Sequence, residues 1–206
     1  MPMTEAEWLA CEDPNMMLGF LDGKVSKRKL RLFAVACCRN IWSLFKDEQC
    51  RNTVEVAERY ADGWASDAEL FAVNPGGYAW LTDAEDVYYL VDELFHALSG
   101  NTFDAYYVFR SAEIAFGARK AEEHCAIFRD IANPFFSAGP RGRFATTTAT
   151  EVAEAIYTDR AFDRLPILAD ALEDAGCTDR AILDHCRQPG EHVRGCWVVD
   201  LVLGKE

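Results

Sequence analysis

Leu30, Phe33, Ala34, Cys37, Cys38, Ile41 and Leu44/Phe45 recur at steps of three and four, the period of a helix with one buried face. Ser26 stands before this run as a cap, so a long helix is expected from Ser26 to about Phe45. Other stretches carry the same grammar. Thr4-Glu5-Ala6-Glu7 has the form of a capping box, in which hydroxyl and carboxylate satisfy each other's backbone amides, and opens a short helix through Trp8 and Leu9. Asp13-Pro14 is an N-cap followed by a proline at the first helical position; the helix carries Met17, Leu18 and Leu21 and stops near Gly23. Asp47 caps a helix with Val54, Val56, Ala57 and Tyr60, ending near Gly63.

The pattern weakens from Ser66 to Trp80, and Asn74-Pro75-Gly76-Gly77 is a loop signal. A second capping box, Thr82-Asp83-Ala84-Glu85, leads into Val87, Leu90, Val91, Leu94, Phe95 and Leu98, with Gly100 as the stop. A long helical stretch is expected from Thr102 to Ile131, where Asn133-Pro134 breaks it. Residues 133–147 form the longest irregular segment. Thr148-Ala149-Thr150-Glu151 reads as a third capping box, opening a helix to about Arg160. Asp163 is expected to cap a helix with Leu165, Ile167, Leu168 and Leu172 that closes at Gly176. Thr178 starts a short helix with Ile182 and Leu183. Pro189-Gly190 turns the chain, and a last apolar segment from about Val193 to Leu203 ends at Gly204. Val198–Val202 is apolar enough to be read as a buried strand, and periodicity does not separate the two readings over so short a run.

The expected class is therefore all-α: an irregular multi-helix bundle, or a loosely solenoidal stack, of about nine helices. No repeat recurs at a fixed period, which argues against a regular solenoid. The 206 residues suit a single helical domain over 1–206, with the loop 133–147 as the place for a subdomain boundary.

Composition narrows the functional classes. Half the residues are hydrophobic, enough for a core without disulfide or metal staples. No run approaches the ~18 apolar residues of a membrane span. The N-terminus has acidic Glu5 and Glu7 and lacks the basic start and apolar run of a secretory signal, so a cytoplasmic location is expected. Eight cysteines, several within apolar helical patterns (Cys37, Cys38, Cys125, Cys196), read as free thiols of a reducing compartment. The net charge is −13, and residues 51–100 carry two basic against ten acidic side chains. Such a surface repels phosphate backbones, so no nucleic-acid partner is expected; it suits solubility or a basic protein partner. Lys27, Arg28, Lys29 and Arg31 crowd a helix start, the unfavourable end of the dipole for cations, which calls for an acidic neighbour.

The segments TEAEWLACEDPNMMLGFLDGK, KLRLFAVACCRNIW and VEVAERYADG, with NPF, AFDRLPILADALEDAGC, ILDHCR and HVRGCWVVDLVLGKE, resemble an uncharacterised bacterial family of highly paralogous, cytoplasmic helical proteins. The likeness covers roughly residues 3–63 and 129–206. It implies a helical cytoplasmic protein and carries no activity with it.

The candidate chemistry is concentrated near the C-terminus. His185, Cys186, His192 and Cys196 are a candidate metal set, with zinc the implied ion, because zinc takes Cys and His in tetrahedral groups. His192 and Cys196, four apart, are expected to share a helix face. His185 and Cys186 are adjacent and cannot point the same way on a helix. The rival reading is buried thiols, with the two histidines hydrogen-bonded at a helix end. Glu93 and His96 give Glu-x-x-His once, whereas di-iron bundles need it twice; a surface pair explains it. The vicinal Cys37-Cys38 is not a redox motif, and one or both should lie in the core. No dinucleotide, P-loop or nucleophile-elbow motif is present. Gly139-Pro140-Arg141-Gly142-Arg143 puts two arginines on a loop, to be read as solvated. The aromatic run Tyr88, Tyr89, Phe95, Phe103, Tyr106, Tyr107 and Phe109 is core, with some hydroxyls left for an interface. These features favour a non-enzymatic helical module that binds other proteins or itself. The alternative is a zinc-binding domain, or a metal-dependent enzyme, built on the C-terminal Cys/His cluster.

Overall fold

A computed structural model describes residues 3–73, 120–136 and 144–205. Every regular element among the described residues is helical: α1 (Glu5–Ala10), α2 (Pro14–Leu21), α3 (Lys27–Arg39), α4 (Glu48–Ala61), α5 (Asp67–Val73), α6 (Lys120–Ile131), α7 (Thr147–Asp159), α8 (Leu165–Asp174), α9 (Arg180–Arg187) and α10 (Trp197–Leu203), with 3₁₀ turns at Trp42–Leu44 and Phe162–Arg164. The all-α class read from the sequence is the class observed. No helix among the described residues is long and apolar enough to cross a membrane. The helix expected after Thr82, the part of the long helical stretch before residue 120, the aromatic run, Glu93 and His96, and the loops Asn74–Gly77 and Gly139–Arg143 lie outside the described residues.

The chain divides into two compact units, Met1–Phe128 and Arg129–Glu206. The division falls inside α6, a few residues before the 133–147 segment where the sequence suggests a boundary.

In the first unit α3 packs along α4, and α4 along α5. Local chemistry starts each helix. The Thr4/Glu7 box forms as read, Asp13 caps α2, Ser26 caps α3 and Asp47 caps α4. The cationic start of α3 receives its acidic neighbour: Arg28 donates to Asp62 at 2.8 Å. At the other end of α3, Arg39 pairs with Glu58 of α4 at 2.9 Å, and the Glu58 side chain is only 3 % exposed. Cys37 and Cys38 are both buried, and burial raises both thiols well above the usual range. Phe33 stacks on Phe128 with ring centroids 3.8 Å apart. The helix expected through Phe45 ends at Arg39. Ile41 and Phe45 are nevertheless buried, because a 3₁₀ turn repeats every three residues and keeps the spacing that suggested a continuing α-helix.

In the second unit α8 packs against α7 and α9, and α10 against α7 and α9. Their shared core is Ala149, Ala153, Ile156 and Tyr157 of α7, Leu165, Leu168, Ala169 and Leu172 of α8, Ile182, Leu183 and Cys186 of α9, and Trp197, Val198, Val199 and Val202 of α10, with Cys177 and Cys196. Four boundaries differ from the sequence reading. Thr146, not Thr148, caps α7, accepting from the Ala149 amide. Asp163 caps nothing; it sits in the 3₁₀ turn that leads directly into α8. Asp179, not Thr178, caps α9 through the Ala181 amide. The last helix begins at Trp197 rather than near Val193 and is a helix, not a strand. Gly176 and Gly204 do close α8 and α10, at φ +87° and +66°, where a side chain would be strained.

Candidate metal centre

Three of the four C-terminal candidates converge, and an unforeseen residue completes them. One ligand atom each from Asp130, His185, His192 and Cys196 lies within 4.8 Å of the others. All four residues belong to the unit Arg129–Glu206. Asp130 is the penultimate residue of α6, and His185 lies in the last turn of α9. His192 and Cys196 come from the loop between α9 and α10. They do not share a helix face, because α10 has not yet begun.

That loop is held at three points. Gln188 leaves α9 in an extended conformation, and Pro189-Gly190 prevents the helix from resuming. The Val193 amide donates to Asp130 Oδ2 at 2.8 Å. Arg194 donates from its guanidinium to the carbonyls of Tyr157 and Thr158, at 3.1 and 3.2 Å, at the C-terminal end of α7. Gly195 then takes φ +94°, and the Cys196 amide donates to the Val193 carbonyl at 3.0 Å. The result is a tight return that points Cys196 Sγ inward at the start of α10.

The focus of the cluster is Asp130 Oδ1. It lies 2.5 Å from His192 Nδ1 and 3.1 Å from His185 Nε2. The same His185 Nε2 lies 3.3 Å from Cys196 Sγ. The site is dry: the side chains of Asp130, His185 and His192 are 4, 7 and 6 % exposed, and Cys196 is fully buried. The two imidazoles stand edge to face, centroids 5.0 Å apart, and Trp197 covers His185 at 5.1 Å. Burial pushes the Asp130 carboxyl up, but hydrogen bonds from His185 and His192 more than offset it, so the group stays below the ordinary carboxylate value. Burial raises the Cys196 thiol well above its usual range, the Asp130 charge adds to the rise, and the amides of Val198 and Val199 at the start of α10 oppose it.

Two kinds of chemistry use Cys, His and Asp together. In a nucleophilic relay the thiol and the carboxylate engage opposite nitrogens of the imidazole. Here both approach Nε2, while Nδ1 faces the Gln188 side-chain amide at 3.3 Å. The raised, fully buried thiol is also the reverse of an activated one. Four potential donor atoms within 4.8 Å of one another form the kind of group that could hold a metal ion. A tetrahedral ion with bonds of about 2.0–2.3 Å separates its ligand atoms by about 3.3–3.8 Å. The contacts at 3.1 and 3.3 Å are near that spacing, the outer limit of 4.8 Å is within about 1 Å of it, and the 2.5 Å between Asp130 Oδ1 and His192 Nδ1 is a hydrogen bond that would have to open by about 1 Å.

Cys186, the fourth residue of the sequence-derived set, is outside this group. Its neighbour His185 turns to the cluster, so a one-residue step around α9 sends Cys186 into the apolar core. Burial there raises its thiol to about 12, with the charges of Asp130 and Cys177 adding. Asp130 was not singled out by sequence reasoning. The available signal was its place in Ile127-Phe128-Arg129-Asp130-Ile131-Ala132, a lone carboxylate in an apolar run, three residues from Ile127 and so on the face the periodicity assigns to the interior. A buried acid needs partners, and candidates existed in the remote histidines. Comparison of the chain with family models, curated proteins and solved structures gives no match.

Proposed function

We propose that the C-terminal unit is a zinc-binding helical domain in which the ion is structural, and that the chain works without catalysis. The observation that carries this reading is the convergence of four donor atoms of zinc-compatible type within 4.8 Å. The donor set is the argument for the metal. Imidazole and thiolate favour zinc and its transition-metal neighbours over calcium and magnesium, which want oxygen. The count is the argument for the role. Structural zinc sites are closed by four protein ligands, whereas catalytic ones leave a position for water; here four residues meet in a site that solvent hardly reaches. The ion would link the end of α6 to the end of α9 and the start of α10, more than fifty residues later in the chain. Elemental analysis of protein purified without chelator or affinity metal tests this. About one zinc per chain, lost in each alanine variant of Asp130, His185, His192 and Cys196, is the expected result; a metal-free protein that also fails to take up added zinc would overturn it.

A second reading, a module that docks on another protein, is favoured by a specific feature of the other unit. Trp64 and Phe71, flanking and on α5, are 53 and 67 % exposed, and large aromatic side chains are enriched at interfaces. Light scattering with chromatography tests the self-association form of this reading: a dimer lost in a Trp64→Ser, Phe71→Ser double variant supports it, and a monomer at all concentrations removes a second copy of the chain as the partner.

A further inference from the structure

We propose that the side-chain amide of Gln188 is the positioning residue that sets which nitrogen of His185 faces the metal, and with it the affinity of the centre; this rests on the zinc reading above. An imidazole binds a metal through the nitrogen that lacks a proton, and the proton then sits on the other nitrogen, usually held by an outer partner. In His185, Nε2 faces the cluster, 3.1 Å from Asp130 and 3.3 Å from Cys196. The ligating nitrogen is therefore Nε2, and the proton must lie on Nδ1. The side chain at Nδ1 is Gln188, whose amide nitrogen Nε2 lies 3.3 Å away.

A glutamine amide is suited to this post because it offers a donor at one end and an acceptor at the other. With its NH₂ toward the ring, as it stands in the structure, it donates to a bare Nδ1, which leaves the proton on Nε2 to be shared with Asp130. With its carbonyl toward the ring it accepts from Nδ1–H, which leaves the Nε2 lone pair for the ion. The two arrangements differ by a half-turn of the amide. Asp130 is oriented in a parallel way: the Val193 amide occupies Oδ2 and turns Oδ1 to the cluster. That partner is backbone, so Gln188 is the outer contact that substitution can address. Its own backbone amide donates to the Asp184 carbonyl at 2.8 Å, and the side chain is exposed and outside the apolar core. Changes there leave the fold in place.

The test compares Gln188→Ala and Gln188→Glu with the parent in the full-length chain. Zinc affinity is read by competition with a chromophoric chelator, and the ligand set by the thiolate and d–d bands of the cobalt(II) form. A metal ligand's outer partner is worth about 10- to 100-fold in affinity. Gln188→Ala should weaken zinc by that factor. Gln188→Glu, which only accepts, should restore or exceed parental affinity with an unchanged cobalt spectrum. Long-range proton–nitrogen correlations should place the His185 proton on Nδ1 in the zinc-bound parent and Glu variant. A Gln188→Ala protein within twofold of the parent, or a His185 proton on Nε2 in the zinc form, overturns the assignment of Gln188 while leaving the centre standing. A parent that binds no zinc removes the centre itself and this role with it.

Discussion

Replacing Asp130 separates what the carboxylate does for the fold from what it does for a metal. Its two oxygens serve three donors: the His192 and His185 rings at Oδ1 and the Val193 amide at Oδ2. Alanine leaves all three without this acceptor in a site that excludes water. Removing one member of a buried charged group costs about 3–5 kcal/mol, and each stranded donor accounts for about 1–3 kcal/mol of such a loss. Asparagine should be milder. Its oxygen can keep the Val193 amide while its NH₂ donates to imidazoles that shift their protons, so the loss falls to that of charge assistance, about 1–2 kcal/mol. Urea denaturation in chelator gives both numbers, and hydrogen exchange at the Val193 amide gives a local one; 3–5 kcal/mol there is about a 10²- to 5 × 10³-fold loss of protection. Zinc is then added at a hundredfold over its dissociation constant, which stabilises a binding protein by about 2.7 kcal/mol. The parent should gain this increment and neither variant should. An alanine variant within ~1 kcal/mol of the parent in chelator would falsify the hub of hydrogen bonds. An asparagine variant that still gains the zinc increment would remove Asp130 from the ligand set.

Other outcomes follow from burial and pairing elsewhere in the chain. Arg39→Ala strips its ion pair from Glu58, whose side chain is 3 % exposed; the expected loss is about 3 kcal/mol, and a urea midpoint unchanged from the parent would show that the pair contributes nothing. A thiol reagent added to the native protein should label Cys11, which is partly exposed, quickly and the seven buried cysteines only as fast as the protein opens; rapid labelling of two or more sites contradicts this. The carboxylate of Glu69 accepts from the Ser66 amide at 2.9 Å and from its hydroxyl at 3.0 Å, and these bonds, the backbone one first, hold it below the usual glutamate value. An acid shifted down supports its partner at all pH above its ordinary value, and that support is lost as pH falls through the lowered one. The Ser66 amide resonance should therefore titrate with a midpoint below about 4.3, the value of a free glutamate; a midpoint at or above it means the start of α5 is not capped in this way.

The helices were legible because the forces that make them are local. A capping hydroxyl or carboxylate acts on amides two or three residues ahead, and an apolar stripe declares its period within a dozen positions. That is why α1, α2, α3 and α4 start at the residues expected of them. The misplaced boundaries are of one kind: several adjacent residues could do the same job, and packing chose among them. Thr146 and Thr148 have the same hydroxyl, and Thr178 and Asp179 stand side by side. At Asp163 a 3₁₀ turn runs straight into α8, so the first amides of that helix need no side-chain cap.

The centre was half legible for a different reason. His185, His192 and Cys196 lie within a dozen residues, so composition alone flags them, but what brings them together is not local. The start of α10 at Trp197 turns His192 and Cys196 from neighbours on a helix into the middle and the end of a loop. The loop's path is then set by Asp130, more than fifty residues earlier, through Val193 and His192, and by Arg194 on the end of α7. Cys186 failed to join for the opposite reason: α9 is regular, and regularity fixes that two successive side chains diverge. A buried carboxylate with three donors is costly to assemble unless something repays the desolvation of charge and polar groups. An apolar residue in its place would serve a plain core better. Asp130, in an otherwise apolar stripe and bonded to two imidazoles and the Val193 amide, is therefore the residue on which the zinc reading proposed above turns.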